Sequence, residues 1–132
     1  MRPKTILVAL LACAPFLAAC EPIIRMRGRV TEKMPVESPD PAEPIEGASV
    51  QLYCPAESGE EEWEPRFDPM TTDANGEFAD DEIGGPPLQC EFRARRDGYQ
   101  PASVPLEDVC VNVHRDKYCF ETDAEITMEP AD

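Results

Sequence analysis

Histidine, tryptophan and positive charge are scarce in this chain of 132 residues, and each scarcity removes a class of function. His114 is the only histidine and no two cysteines are spaced C-x-x-C, so the usual His/Cys donor sets for zinc are missing. One histidine with no evident nucleophile beside it also leaves little for triad-type catalysis. Twelve basic residues stand against 27 acidic ones. Phosphate backbones need cations opposite them, so nucleic acid is a poor partner. No phosphate-cradling glycine loop is present; Gly84-Gly85-Pro86-Pro87 reads as a turn. Helical periodicity is absent too, because no ten-residue stretch repeats its apolar residues every three or four places.

What is present begins at the N-terminus, MRPKTILVALLACAPFLAAC. Arg2 and Lys4 precede an apolar run from Ile6 to Leu17 that is short for a membrane span and ends in small residues. That pattern is a secretory signal. Its ending, Leu17-Ala18-Ala19-Cys20, resembles the lipobox of bacterial lipoproteins. The resemblance implies diacylglycerol on the Cys20 sulfur, cleavage before it, and fatty acylation (palmitate, for example) of the new N-terminus. A soft thiolate is what such alkylation requires. Several acyl chains, at about 0.8 kcal/mol per buried methylene, hold a protein on a bilayer without a spanning helix. The expected layout is a signal peptide over 1–19, a lipidated tether over 20–25 and one domain over 26–129. Glu21 follows the cysteine where some bacteria place the Asp of inner-membrane retention, which points to the outer membrane, facing periplasm or surface.

Without residues 1–19 the chain has 113 residues and a net charge of −17. Its apolar residues fall in short alternating runs, with acid and proline concentrated between them, which describes a folded domain with acidic loops. In IIRMRGRVTE (23–32), Ile24, Met26, Gly28 and Val30 share one face and Arg25, Arg27 and Arg29 the other. GASVQLYC (47–54) sends Ala48, Val50, Leu52 and Cys54 inward, and LQCEFRARR (88–96) sends Cys90, Phe92 and Ala94 inward. Two short segments flank Asp73-Ala74-Asn75-Gly76, PASVPL makes another strand, and AEITMEP closes with Ile126 and Met128. The proline-rich 33–47 and the acidic 55–69, which carries Trp63, read as loops. The expectation is an all-β, seven-stranded antiparallel sandwich.

Besides Cys20, Cys54, Cys90, Cys110 and Cys119 remain. An even set in an exported chain is normally a disulfide framework, with three connectivities open.

In chain order, G-x-V (Gly28 to Val30), P-I-E-G-A-S-V (Pro44 to Val50), T-T-D-A-N-G-E-F (Thr71 to Phe78), D-G-Y (Asp97 to Tyr99) and a final apolar strand resemble the carboxypeptidase regulatory-like domain. That family implies a transthyretin-like β-sandwich and little about activity. The cysteines and the insert Glu107 to Asp123 depart from its pattern. The resemblance also sets strand 48–54 antiparallel beside 90–96. Pairing Cys54 with Cys90 then places Leu52 opposite Phe92 and Val50 opposite Ala94, leaving Cys110 with Cys119.

TTDANGEFADDE (71–82) has the length of a calcium loop, with Asp73, Asn75, Gly76 and Glu82 at the third, fifth, sixth and twelfth places. Its first place is Thr71, however, and prolines and glycines flank it where helices are needed. Asp73, Asn75 and Gly76 suit a hairpin turn, leaving Asp80, Asp81 and Glu82 for adventitious calcium at most. The arginines of 25–29, with Arg93 and Arg95, make stripes that either bind an anionic glycan or envelope protein or neutralise carboxylates across strands; the latter is expected. Trp63 either anchors a partner or covers the sandwich edge. The functional expectation is a non-enzymatic, lipid-anchored envelope protein, binding or structural, with no cofactor and the bilayer as its partner through Cys20. A calcium-dependent surface protein and a small envelope hydrolase are the rivals.

Overall fold

The computed structural model describes residues 22–35 and 37–132. Among the described residues, ten strands and one helical turn occur in the order β1 (Ile23–Glu32), β2 (Ser49–Ala56), β3 (Gly59–Pro65), β4 (Met70–Thr71), β5 (Glu77–Ile83), β6 (Glu91–Arg95), β7 (Ala102–Pro105), α1 (Leu106–Val109), β8 (Cys110–His114), β9 (Tyr118–Thr122) and β10 (Ala124–Met128). They build two five-stranded sheets. In the first, β1 is flanked by β5 on one edge and by β9 and then β10 on the other, with β8 outside β9. The second runs β3-β2-β6-β7, with β4 also on β2.

The core follows the alternation in the sequence. Ile24, Met26 and Val30 from β1 meet Val50, Leu52, Phe92 and Ala94 from the second sheet, all fully buried or nearly so. Ile126 and Met128 of β10 join them. Gly28 lies on the inward face, where the Phe78 ring takes the place a Cβ would need (2.4 Å from its nearest atom). Phe78 then packs edge-to-face on Phe92, centroids 5.7 Å apart. The glycine of G-x-V thus makes room for the aromatic of the following turn motif.

Two expectations need correction. Ten strands replace seven because β3, β8 and β9 form where loops were expected. β3 is GEEEWEP and offers no apolar face; it pairs as an edge strand, where charge is tolerated. β8 and β9 make a hairpin of residues 110–122 inside the supposed insert, and Val109 and Cys119 of that insert are core residues. The sheets are also not wholly antiparallel: β1 pairs in parallel with β10 from Gly28↔Ala124 to Glu32↔Met128. Nothing in an alternating strand encodes its direction. β1 itself spans Ile23–Glu32, the stretch whose alternation marked it as a strand.

Where β9 passes into β10, the buried Thr122 side chain repairs the interrupted ladder. Its hydroxyl accepts from Arg27 N–H at 2.9 Å and donates to Arg27 C=O at 3.0 Å. A part-buried backbone N–H and C=O are thereby satisfied without a neighbouring strand residue.

The register of β2 on β6 is the expected one, Leu52↔Phe92 and Val50↔Ala94. The disulfides are Cys54–Cys90 and Cys110–Cys119. Cys54 and Cys90 are both buried, so the first bridge sits in the core.

Candidate functional site

The 71–82 segment turns at Asp73–Gly76. Asp73 Oδ1 accepts the N–H groups of Asn75 and Glu77, each at 2.9 Å, and Gly76 N–H donates to Asp73 C=O. Gly76 has φ +74°, and a Cβ there would stand 2.5 Å from Val30 C=O. Glycine is required twice over, by backbone conformation and by space. The turn is not a hairpin within one sheet. β4 belongs to β2's sheet and β5 to β1's, so it carries the chain across the sandwich.

As a metal loop the segment fails on geometry. Asp73 and Asn75 precede β5, and Glu82 lies near its far end. Five residues of extended chain from Glu77 to Glu82 span about 17 Å, too far for one ion. Asp73's inner oxygen is already committed to the backbone. Among the described residues no cluster of three or more His, Cys, Asp or Glu is placed to hold a metal.

The motifs of the sequence converge at this end of the molecule. Val30 N–H donates to Gly76 C=O at 2.7 Å, and Ile45 N–H to Val30 C=O at 3.0 Å. The buried Thr72 hydroxyl donates to Ile45 C=O at 2.6 Å and accepts Ala48 N–H at 2.9 Å. Tyr99 of D-G-Y donates its hydroxyl to Glu32 at 2.7 Å, and that bond to a carboxylate holds the phenol above its usual pKa. These turn residues are therefore occupied in joining strands.

The two groups of arginines lie on opposite outer faces. On the first sheet Arg25 stands between Asp81 and Glu121 in register, and Arg29 between Glu77 and Glu125. Arg27 reaches Asp81 at 3.0 Å. Cross-strand neutralisation, not a basic stripe, is the arrangement, and half-exposed pairs of this kind contribute little stability each. An open groove of about 660 Å³ follows this face, lined by Arg27, Arg29, Asp73, Glu77, Asp123 and Glu125 among others. Asp123 and Glu125 were not legible as part of this groove, because only the parallel β1–β10 pairing brings them beside the arginines.

On the second sheet Arg93 bonds Glu91 at 2.8 Å, with its guanidinium 4.3 Å from the Tyr53 ring centroid and 5.2 Å from that of Trp63. Trp63 is half-buried in this stack on β3, covering the edge rather than standing free. Arg95 is exposed on the same strand. His114, at the end of β8, stacks on Phe120 with centroids 4.9 Å apart.

The Asp80–Glu82 carboxylates left for adventitious calcium lie at the other end of β5, joined there by Asp68, which sequence spacing did not reveal. Asp80 and Glu82 share a face, with Asp68 nearby. Desolvation, a hydrogen bond to Asp80, and repulsion from Asp80 and Asp68 raise the Glu82 pKa above the usual carboxylate value. Cys20 and the N-terminal segment read from the sequence as a signal lie outside the described residues.

Compared with known proteins, the chain matches no established family and no curated sequence. Solved structures share its fold at low identity. The 3-chlorocatechol 1,2-dioxygenase of Rhodococcus opacus 1CP is similar over 84% of this chain at 13% identity and TM-score 0.54. The full-length major pilin SpaD of Corynebacterium diphtheriae is similar over 83% at 12% identity and TM-score 0.50. The major plantain pollen allergen Pla l 1 matches over 82% at 16% identity and TM-score 0.49, spanning 94% of the allergen. The chain spans 61% of the dioxygenase and 32% of the pilin. These are β-sandwich proteins of unrelated activities, so the likeness concerns the fold alone.

Proposed function

We propose that this protein is a non-enzymatic, lipid-anchored β-sandwich of the bacterial cell envelope, of the carboxypeptidase regulatory-like, transthyretin-like type, acting as a binding or structural module. One observation carries the reading. The turn motifs that resemble that family meet in space as a single hydrogen-bonded junction, so their residues serve architecture. Two disulfides accord with an oxidising compartment outside the cytoplasm. The Leu17-Ala18-Ala19-Cys20 ending supports acylation of Cys20 and the outer membrane as destination.

As a binding module it offers the groove across Arg27 and Arg29. Two cations interleaved with Asp73, Glu77, Asp123 and Glu125 suit a polar, hydroxyl-rich or mixed-charge partner, such as an envelope glycan or a loop of another envelope protein. Replacing Cys20 by Ser should release the folded protein from membranes, read by fractionation and Triton extraction; an unchanged membrane fraction would remove the anchor. Pull-down from native envelope with the lipidated protein, with and without Arg27→Ala and Arg29→Ala, tests the groove.

A further inference from the structure

The end of the sandwich at which β1 begins differs from the rest of its surface. Ile23 and Ile83 face each other across β1 and β5, and they are 53% and 66% exposed. Both point out of the first sheet on the side of Arg25. Two residues further on, Gly85 lies against the Phe120 ring and Tyr118, and Tyr118 is itself exposed. The patch ends at the β8–β9 turn, where Arg115 and Asp116 take positive φ and set Arg115 and Lys117 at the tip. Arg66 lies beside Gly84. Arg66, Arg115 and Lys117 thus border an exposed apolar strip, with Asp81 and Asp116 among them and the Asp80, Glu82 and Asp68 carboxylates on the other face of β5, in a mature chain of net charge −17.

From this we infer that the Ile23–Ile83 end of the first sheet rests on the bilayer, fixing the orientation of the anchored domain. The inference rests on the Cys20 anchor of the preceding section. Cys20 precedes Ile23 by three residues. Such a segment reaches at most about 10 Å, and the headgroup layer of a leaflet is roughly 5–8 Å deep. Whatever path the tether takes, Ile23 therefore lies within or against that layer. Charge selects which side leans down. The β2–β3 hairpin projects toward the same end from the other sheet with Glu57, Glu61, Glu62 and Glu64 exposed, and anionic headgroups repel it. The Arg115/Lys117 tip belongs to the first sheet and is drawn to them. Arg27 and Arg29 lie four and six residues along β1 from Ile23, about 13 and 20 Å, so the groove begins beyond the headgroup layer.

The test uses the lipidated protein in phosphatidylethanolamine/phosphatidylglycerol vesicles with brominated acyl chains, which quench tryptophan on contact. Ile83→Trp, in a Trp63→Phe background, should shift to the blue and lose emission. Native Trp63, on the opposite sheet, should keep its emission. Arg115→Glu with Lys117→Glu should restore emission to the Ile83→Trp probe. Intact mass of each protein reports acylation separately. An acylated Ile83→Trp protein that is not quenched, or a native Trp63 quenched equally, overturns the orientation and leaves the anchor standing. Absence of acyl mass overturns both. A probe shielded from acrylamide yet untouched by bromolipid would assign the strip to a second copy of the chain, against this inference.

Discussion

The two ends of the sandwich are closed by different means. At the end where β1 finishes, Val30, Ile45, Ala48, Thr72 and Gly76 are joined by short backbone and hydroxyl hydrogen bonds, and Asp73 caps the turn. At the end where β1 starts, carboxylates crowd one another, isoleucines face outward, and covalent bonds hold the strands. Cys54–Cys90 fastens the end of β2 to the start of β6. Cys119, bridged to Cys110, is also bonded through its N–H to Pro86 C=O. The difference shows what each device needs. Hydrogen-bonded closure demands special backbone conformations and therefore legible residues such as glycine and aspartate. Covalent closure frees the surrounding surface to carry charge and exposed apolar groups.

Breaking the hydrogen-bonded end should have the largest effect. Gly76→Val combines a β-branched residue at positive φ with a clash against Val30 C=O, and should cost upwards of ~4 kcal/mol or prevent folding. Asp73→Ala should cost only about 1 kcal/mol, by freeing two turn N–H groups. Denaturant melts of the two variants would decide this; equal losses would mean that the cap, not the glycine, closes the end.

Breaking the covalent end comes next. Removing Cys54–Cys90 as the double Ala variant should cost about 2–4 kcal/mol. The bridges span 36 and 9 residues in sequence. On loop-closure entropy alone the shorter contributes about 1.2 kcal/mol less, from (3/2)RT times the logarithm of that ratio. Thermal melts of the two double variants should therefore order themselves with Cys54/Cys90 the lower. Hydrogen exchange in the Cys110/Cys119 variant should rise mainly over 110–122.

A smaller effect is expected at Thr122, midway along β1. Thr122→Val keeps the shape but leaves Arg27 N–H and C=O without a partner, at about 1–3 kcal/mol. Faster exchange at the Arg27 amide would locate the loss.

The smallest effect sharpens the electrostatic contrast. Glu82 has a folded pKa above its unfolded one, so the folded state binds its proton more tightly, and stability falls as pH rises from the unfolded value through the folded value. Glu82→Gln should remove that loss, raising the melting temperature slightly at neutral pH and flattening its dependence across the acid range. A variant less stable than the parent at neutral pH would show that the carboxylate is instead favourably held.

The β2–β6 register followed from the family resemblance and the Cys54–Cys90 pairing, whereas strand positions and inward residues could be read from the chain because alternation with a period of two fixes which side chains are buried. That is a local property of each segment. The same alternation put Ile23 opposite Ile24 and hence outside, although its meaning depends on Ile83 lying beside it. Gly76 was legible because positive φ is a demand the backbone makes locally. β3 was not, since an edge strand of glutamates has no apolar face to announce it. The direction of β10, and with it the meeting of Asp123 and Glu125 with the arginines, was invisible for another reason. Pairing partners are selected by the packing of the whole core, and alternation reads the same in parallel and antiparallel ladders. The sequence by itself determined the all-β class, the faces of its strands and its tight turn. Only the tertiary structure decided which carboxylates stand beside which arginines and which end was left apolar, because those depend on contacts between segments far apart in the chain.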